Sequence, residues 1–119
     1  MDFRLTDEQK AMRDMVRDFA AKEIAPHAQA FDEQGAIPKA LLDKMAGLGL
    51  MGICVPSEYG GAGMDYFAYI IALEEVCKAS ASVGLAMTVN NTLYGEPLMR
   101  FGTHEQKLRW LPEIASGSA

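Results

Sequence analysis

Apolar residues along this chain recur at helical spacing from one end to the other. Near the N-terminus they are separated by three or four residues, at Met12, Met15, Val16 and Phe19. A second set follows at Leu41, Leu42, Met45 and Leu48. Residues 66–73 are apolar on every side of a helix, which is typical of a central helix. The pattern predicts an all-α bundle of about five or six helices, forming one domain over residues 1–119.

Polar residues and breakers predict where these helices begin and end. Residues 6–9 and 103–106 are capping boxes, in which a Thr and a Gln three residues later satisfy each other's backbone N–H groups. Pro26 is expected to end or kink the first helix. Gly49 is expected to end the helix formed by the second apolar set. Residues 50–55 are apolar, and we expect a buried extended crossover strand or loop there.

A glycine-rich run interrupts the helices at residues 55–64. Loops of this kind bind phosphate when they expose backbone N–H groups at a helix N-terminus. This one lacks the Lys and Ser or Thr of a P-loop, and Gly60, Gly61 and Gly63 do not fit the dinucleotide fingerprint. Asp65 adds a negative charge where a phosphate would bind. The run therefore predicts a tight turn with Asp65 as N-cap of the next helix, with nucleotide binding as the weaker alternative.

The overall charge argues against two classes of partner. A formal net charge of −5 and a pI near 4.9 disfavour binding to nucleic acid or to an anionic membrane surface. The longest apolar run is too short to span a bilayer, and the N-terminus has no apolar signal-peptide core. We therefore expect a cytoplasmic protein without membrane insertion. Cys54 and Cys77 are expected to be buried free thiols, although one disulfide remains open.

Few residues offer independent chemistry. The two histidines, His27 and His104, are too few and too distant to form a metal site. Glu74 and Glu75 point about 100° apart on a helix, so we expect one to be solvated and the other to form a structural salt bridge. No serine lies in a nucleophile motif. The sequence predicts no catalytic residue and no metal ligand.

The segment from Ser82 to Tyr94, capped by Ser80 or Ser82, carries two mostly apolar stripes. One comprises Ala86, Val89, Asn90 and Leu93, and the other comprises Val83, Met87, Asn91 and Tyr94. Each stripe contains an asparagine, whose amide needs hydrogen-bond partners if it is buried. Two interpretations follow: the amides bond to neighbouring backbone within a bundle, or the helix lines an apolar ligand pocket.

Taken together, these segments resemble the N-terminal α-helical domain of acyl-CoA dehydrogenases. The similar segments, given in sequence letters, are 3–9 (FRLTDEQ), 16–20 (VRDFA), 23–26 (EIAP), 48–52 (LGLMG), 55–63 (VPSEYGGAG), 74–75 (EE), 89–93 (VNNTL), 101–107 (FGTHEQK) and 111–117 (LPEIASG). Each is weak alone, but together they follow the family's order over the whole chain. Residues 82–84 and 89–91 are most similar to the short-chain, butyryl-CoA-type branch.

The resemblance implies a larger enzyme than this chain. Members add a middle β-domain and a C-terminal helical domain, which hold most of the FAD and, in most members, the catalytic carboxylate. The sequence ends where the β-domain is expected to begin, so we assign no catalytic and no cofactor-binding residue. The isolated chain is expected to bind no FAD and to be inactive. For the complete enzyme the resemblance implies an acyl-CoA substrate, electron-transfer flavoprotein as partner and a homo-oligomer, a homotetramer in the family.

Substrate contacts are the role that the resemblance does imply for this chain. The helix corresponding to residues 82–94 lines the far end of the family's acyl cavity. The expected contacts are Ala86, Val89, Asn90 and Leu93, with Met87 as a neighbour. Bulky Val89 and Leu93 favour a short acyl chain. The alternative is a free-standing helical module that self-associates through faces such as residues 66–73 and the region near Trp110.

Overall fold

The computed structural model describes residues 4–116, and seven α-helical segments lie within that range. They are α1 (Asp7–Phe19), α2 (Ala28–Gln34), α3 (Lys39–Gly47), α4 (Tyr66–Ala79), α5 (Ala81–Thr88), α6 (Glu96–Phe101) and α7 (His104–Ser116). Short π and 3₁₀ segments join α1 to α2 and α5 to α6, so the seven segments form five continuous helices. The described part of the chain contains no strand, which confirms the all-α prediction.

Both predicted capping boxes are present. The Thr6 hydroxyl accepts from the Gln9 N–H at 3.1 Å, and the Gln9 side chain accepts from the Thr6 N–H at 2.9 Å. Thr103 and Gln106 repeat the arrangement before α7. Because a capping box depends on four consecutive residues, it is fixed by local sequence.

Pro26 kinks the first helix without ending it. The helix passes from α1 into a π segment, Ala20–Ile24, and a 3₁₀ turn, Ala25–His27, before α2 begins. Proline lacks the N–H that an α-helix interior requires, and these changes in winding accommodate its loss. Gly35, in the left-handed conformation at φ 68°, ends α2.

The core is built around α4, which packs against α1 and α5. Ala68, Tyr69, Ala72 and Val76 bury one side of α4. The opposite side is exposed: Phe67 is 71% and Ile70 is 54% accessible. The prediction of a central helix is confirmed, because α4 packs against both α1 and α5. One face of this apolar helix has no partner among the described residues.

Residues 50–55 are buried as expected, but they are not extended. Leu50–Gly52 forms a 3₁₀ turn, and Leu50, Ile53 and Val55 are almost completely inaccessible. Of the two expected forms the strand is wrong and the buried loop is right, because a short apolar run does not distinguish a buried turn from a buried strand. This turn lies between α3 and the glycine-rich loop, and it also contacts α7 and the π segment Val89–Gly95.

Candidate functional site

A groove of about 440 Å³ lies beside α5. Its lining residues come from four parts of the chain: the loop before α3, α3 itself, the 3₁₀ turn and the helix formed by α5 and the π segment. They are Ile37, Leu42, Met51, Ser82, Leu85, Ala86, Val89 and Asn90. Six of the eight are apolar, so the groove suits an apolar ligand better than a charged one.

The structure brings three of the five predicted substrate contacts to this groove. Ala86, Val89 and Asn90 line it. Met87 instead points into the core and is fully buried. Leu93 is 68% exposed and lies outside the lining.

A change in helical winding separates Leu93 from the other stripe residues. The π segment Val89–Gly95 begins at Val89. A π turn closes with i→i+5 hydrogen bonds and is wider than an α turn, so later side chains leave the stripe that α-helical spacing predicts. Such segments are frequent at functional sites.

Sequence reasoning missed five residues of the groove: Ile37, Leu42, Met51, Ser82 and Leu85. Leu85 carried a usable signal, because it precedes Val89 by four residues and shares its helix face. Ser82 also lies on α5, four residues before Ala86. Ile37, Leu42 and Met51 come from distant parts of the chain, and nothing in the local sequence connects them with α5.

The two asparagines of the π segment bond to backbone, as the first interpretation predicted. The Asn90 side-chain amide donates to the Ile114 carbonyl of α7 at 3.0 Å. Asn91 is fully buried, and its amide makes three hydrogen bonds, all to main-chain atoms. Because the Asn90 amide is directed to α7, that residue can line the groove and still have its donor satisfied.

The backbone N–H groups of the glycine-rich loop are hydrogen-bonded to carbonyl groups within the loop and directly before it. Backbone N–H groups from residue 60 to residue 64 all donate to main-chain oxygens of residues 52–57. The Asp65 carboxylate accepts from the Ala68 N–H at 2.9 Å and caps α4 as predicted. A phosphate cradle needs free amides and no neighbouring anion. This geometry therefore supports the turn interpretation over nucleotide binding.

Gly61 is the tightest point of the loop. A Cβ atom built on it would lie 2.1 Å from the Val55 carbonyl oxygen and 2.4 Å from the Val55 Cβ. Only a residue without a side chain allows the loop to pass this close to the main chain at Val55. The glycine at this position is thus required by packing.

Glu75 links α4 to α1, whereas Glu74 is solvated. Both carboxylate oxygens of Glu75 accept from the Arg17 guanidinium, at 2.8 and 3.1 Å, and Lys78 approaches at 3.4 Å. The hydrogen bonds from Arg17 hold the Glu75 pKa below its usual value, although burial acts in the opposite direction. Glu74 is 65% exposed. The prediction of one solvated and one structural glutamate is confirmed.

A polar cluster connects the N-terminal end of α4 with α6. The Tyr66 hydroxyl donates to Glu96, which also pairs with Arg100. Partial burial, reinforced by the bond to Glu96, raises the Tyr66 pKa. Burial also raises the pKa of the neighbouring Cys54 thiol to about 11, so this cysteine is a weak nucleophile at neutral pH.

The cysteine prediction is right about the free thiols and wrong about burial. Cys54 and Cys77 are both free. Cys54 is partly buried, but Cys77 is exposed on α4. A helical pattern cannot tell which face of an all-apolar helix the fold leaves uncovered.

The described residues hold neither a metal-ligand cluster nor a helix that could cross a membrane. No three or more His, Cys, Asp or Glu side chains among residues 4–116 are arranged to bind a metal ion. Within the same range, every helix is too short or too polar to cross a bilayer.

His104 accepts or donates a hydrogen bond with the Tyr59 hydroxyl at 3.1 Å, which connects α7 to the glycine-rich loop.

Comparisons with known proteins agree along the whole chain. Residues 6–118 match the family model described as acyl-CoA dehydrogenase, N-terminal domain. The chain is 51% identical over 119 residues to probable acyl-CoA dehydrogenase YngJ of Bacillus subtilis, covering 100% of the chain and 31% of that protein. It is 46% identical over 113 residues to bovine mitochondrial short-chain specific acyl-CoA dehydrogenase, covering 95% and 27%.

A solved structure gives the same result. Butyryl-CoA dehydrogenase from Megasphaera elsdenii superimposes with a TM-score of 0.90 at 35% identity, covering 99% of this chain and 32% of the solved one. The chain thus spans about a third of the length of these relatives. The match over nearly every residue and the shared helical fold establish that this chain belongs to the acyl-CoA dehydrogenase N-terminal domain family.

Proposed function

We propose that this chain forms one wall of the acyl-binding cavity of an FAD-dependent dehydrogenase that oxidises short-chain acyl-CoA. The observation that carries the proposal is the apolar groove beside α5, where Ala86, Val89 and Asn90 lie together. These are residues for which the family resemblance implies acyl contact. Relatives named short-chain acyl-CoA dehydrogenases support the choice of a short chain.

The chemistry of the groove fits an acyl tail. Ala86 leaves space, while Leu85 and Val89 supply apolar surface around it. The Asn90 side-chain amide donates to the Ile114 carbonyl, so this donor needs no hydrogen-bond partner from the ligand. Burying apolar surface contributes about 0.8 kcal/mol per methylene, which is sufficient for discrimination between chains that differ by a few carbons. In this proposal the chain binds and orients the tail and excludes water from it.

We place the flavin site outside this chain, in the domains that the family resemblance implies. The loop amides that could hold a phosphate are occupied by the chain's own carbonyl groups, and Asp65 carries a negative charge beside them. We therefore assign FAD, the α-proton acceptor, contact with electron-transfer flavoprotein and a homotetrameric assembly to the complete enzyme. The isolated chain is expected to purify without flavin and to leave butyryl-CoA unoxidised. Flavin absorbance that co-purifies with it would contradict this expectation.

The test is a matched pair of substitutions in the complete enzyme. Ala86→Leu fills the groove, whereas Ala81→Leu adds the same atoms to an exposed position on the same helix. We expect Ala86→Leu to lower kcat/KM for hexanoyl-CoA relative to butyryl-CoA by about tenfold or more, and Ala81→Leu to leave the ratio unchanged. Equal ratios in the two variants would show that the groove does not hold the acyl chain.

A second candidate function is self-association through exposed apolar faces. Phe67 on α4 is 71% exposed and Phe101 at the end of α6 is 85% exposed. Large exposed apolar side chains mark interfaces or aggregation-prone surfaces. Size-exclusion chromatography with light scattering separates the two functions. A monodisperse dimer of the isolated chain would favour the self-association module, and aggregation that is relieved by the remaining domains would favour a part of the dehydrogenase.

A further inference from the structure

Asn91 is a fully buried amide whose hydrogen-bonding capacity is directed to two separate parts of the main chain. Its side-chain oxygen accepts from the Ile53 N–H at 2.9 Å. Its side-chain nitrogen donates to the Leu50 carbonyl and to the Met87 carbonyl, each at 3.0 Å. Two of these bonds reach the 3₁₀ turn, and the third returns to the helix that carries Asn91 itself.

Those bonds join the two sides of the groove. The 3₁₀ turn presents Met51, which lies between the two residues that Asn91 contacts. The helix on the other side presents Ala86, Val89 and Asn90. Asn91 thus fixes the distance between Met51 on one wall and the helix residues on the other wall. Asn91 itself does not line the groove.

The bond to Met87 also stabilises the change in winding that shapes the groove. Asn91 donates to the Met87 carbonyl, and Thr92 donates to the Thr88 carbonyl at 2.8 Å. These two carbonyls lie at the junction where α5 becomes the π segment. Side chains that satisfy backbone groups at such a junction favour the wider turn over a regular α-helix.

We propose that Asn91 is a positioning residue for acyl-chain selectivity, acting through Met51 and through the winding of the helix at Val89. This inference rests on the proposed function, because it concerns the same groove. Without the amide, the Ile53 N–H and the Leu50 carbonyl lose a buried partner, and the turn must move to regain one. A displaced Met51 then leaves the groove less sharply bounded, and longer acyl chains are rejected less strongly.

The test measures kcat/KM for butyryl-CoA and for octanoyl-CoA in the complete holoenzyme. Asn91→Ala is expected to lower the butyryl-to-octanoyl ratio at least about fivefold, since one misfitted methylene changes selectivity roughly 10- to 200-fold. Val16→Ala is the control, because Val16 is equally buried but lies in α1, away from the groove. It is expected to reduce thermal stability and leave the ratio unchanged. A ratio that Asn91→Ala leaves within twofold of wild type overturns the inference.

Two further variants keep the test decisive if Asn91→Ala does not fold. Asn91→Asp keeps the shape and an acceptor for Ile53 but loses both donors, and it is expected to lower the ratio as well. Met51→Ala changes the wall directly and is expected to shift the ratio in the same direction, whereas an unchanged ratio overturns the inference. Failure of the proposed function is distinguishable, because Ala86→Leu and Ala81→Leu would then give equal selectivity ratios, whereas failure of this inference alone leaves the effect of Ala86→Leu intact.

Discussion

Replacing Gly61 with alanine tests whether the glycine-rich loop is a packing device. The added Cβ would lie 2.1 Å from the Val55 carbonyl oxygen, 2.4 Å from the Val55 Cβ and 2.6 Å from the Val55 carbonyl carbon. Two of those atoms belong to the main chain, so no change of rotamer can relieve the contact. The Val55 carbonyl also accepts from the Gly63 N–H at 2.9 Å, and displacing it would break that bond.

The expected cost follows from these contacts. Overpacking a core typically costs about 1–3 kcal/mol when side chains can adjust. Here the main chain must move and a loop hydrogen bond is strained, so we expect at least about 3 kcal/mol. For a domain of this size that loss corresponds to a decrease in Tm of about 12 °C. Gly61→Val should be more damaging still.

Two other glycines provide controls for the same substitution. A Cβ on Gly47 meets nothing within 4 Å, so Gly47→Ala should be neutral or stabilise by up to about 1 kcal/mol. Gly60 has room for a Cβ but a φ of 86°, so Gly60→Ala should cost about 1–2 kcal/mol from backbone strain alone. Urea unfolding followed by circular dichroism measures all three. If Gly61→Ala were no more destabilising than Gly60→Ala, the steric argument would be refuted.

Two further predictions concern the acyl cavity and the ion pair between α1 and α4. In the complete enzyme, Leu93→Ala should extend the range of acyl lengths that the enzyme accepts. Leu93 is exposed in this chain, so this prediction requires the remaining domains to enclose its side chain, and an unchanged dependence of kcat/KM on acyl length would contradict the prediction. The lowered pKa of Glu75 means that its contribution to stability is present above the ordinary carboxyl pKa of about 4.3 and is lost as the pH falls through the lower, folded-state value. The difference in unfolding free energy between wild type and Glu75→Gln should therefore narrow below about pH 4.3, and a pH-independent difference would show that the pair with Arg17 does not control it.

Local sequence was sufficient for the parts of the fold that depend on neighbouring residues. The two capping boxes and the Asp65 cap form as predicted, because each requires only a few consecutive residues. The different environments of Glu74 and Glu75 also followed from helix geometry, since adjacent helical residues point about 100° apart and only Glu75 faces Arg17 on α1.

Long-range packing decided the features that the sequence did not predict. The 3₁₀ turn Leu50–Gly52 is held by Asn91, about forty residues later, so its own apolar run could not distinguish a turn from a strand. Side chains of the π segment donate to the Met87 and Thr88 carbonyls just before it, and its wider turn moves Leu93 out of the predicted stripe. Met87 points into the core rather than the groove for a simpler reason: it lies on the neighbouring face of α5.

A crystal structure of the complete enzyme with bound butyryl-CoA tests the central claim most directly. The account predicts that the terminal carbon of the acyl chain lies within van der Waals contact, about 4 Å, of Ala86 or Val89 in the groove beside α5. An acyl chain bound elsewhere, with this groove filled by protein side chains from another domain, would contradict it.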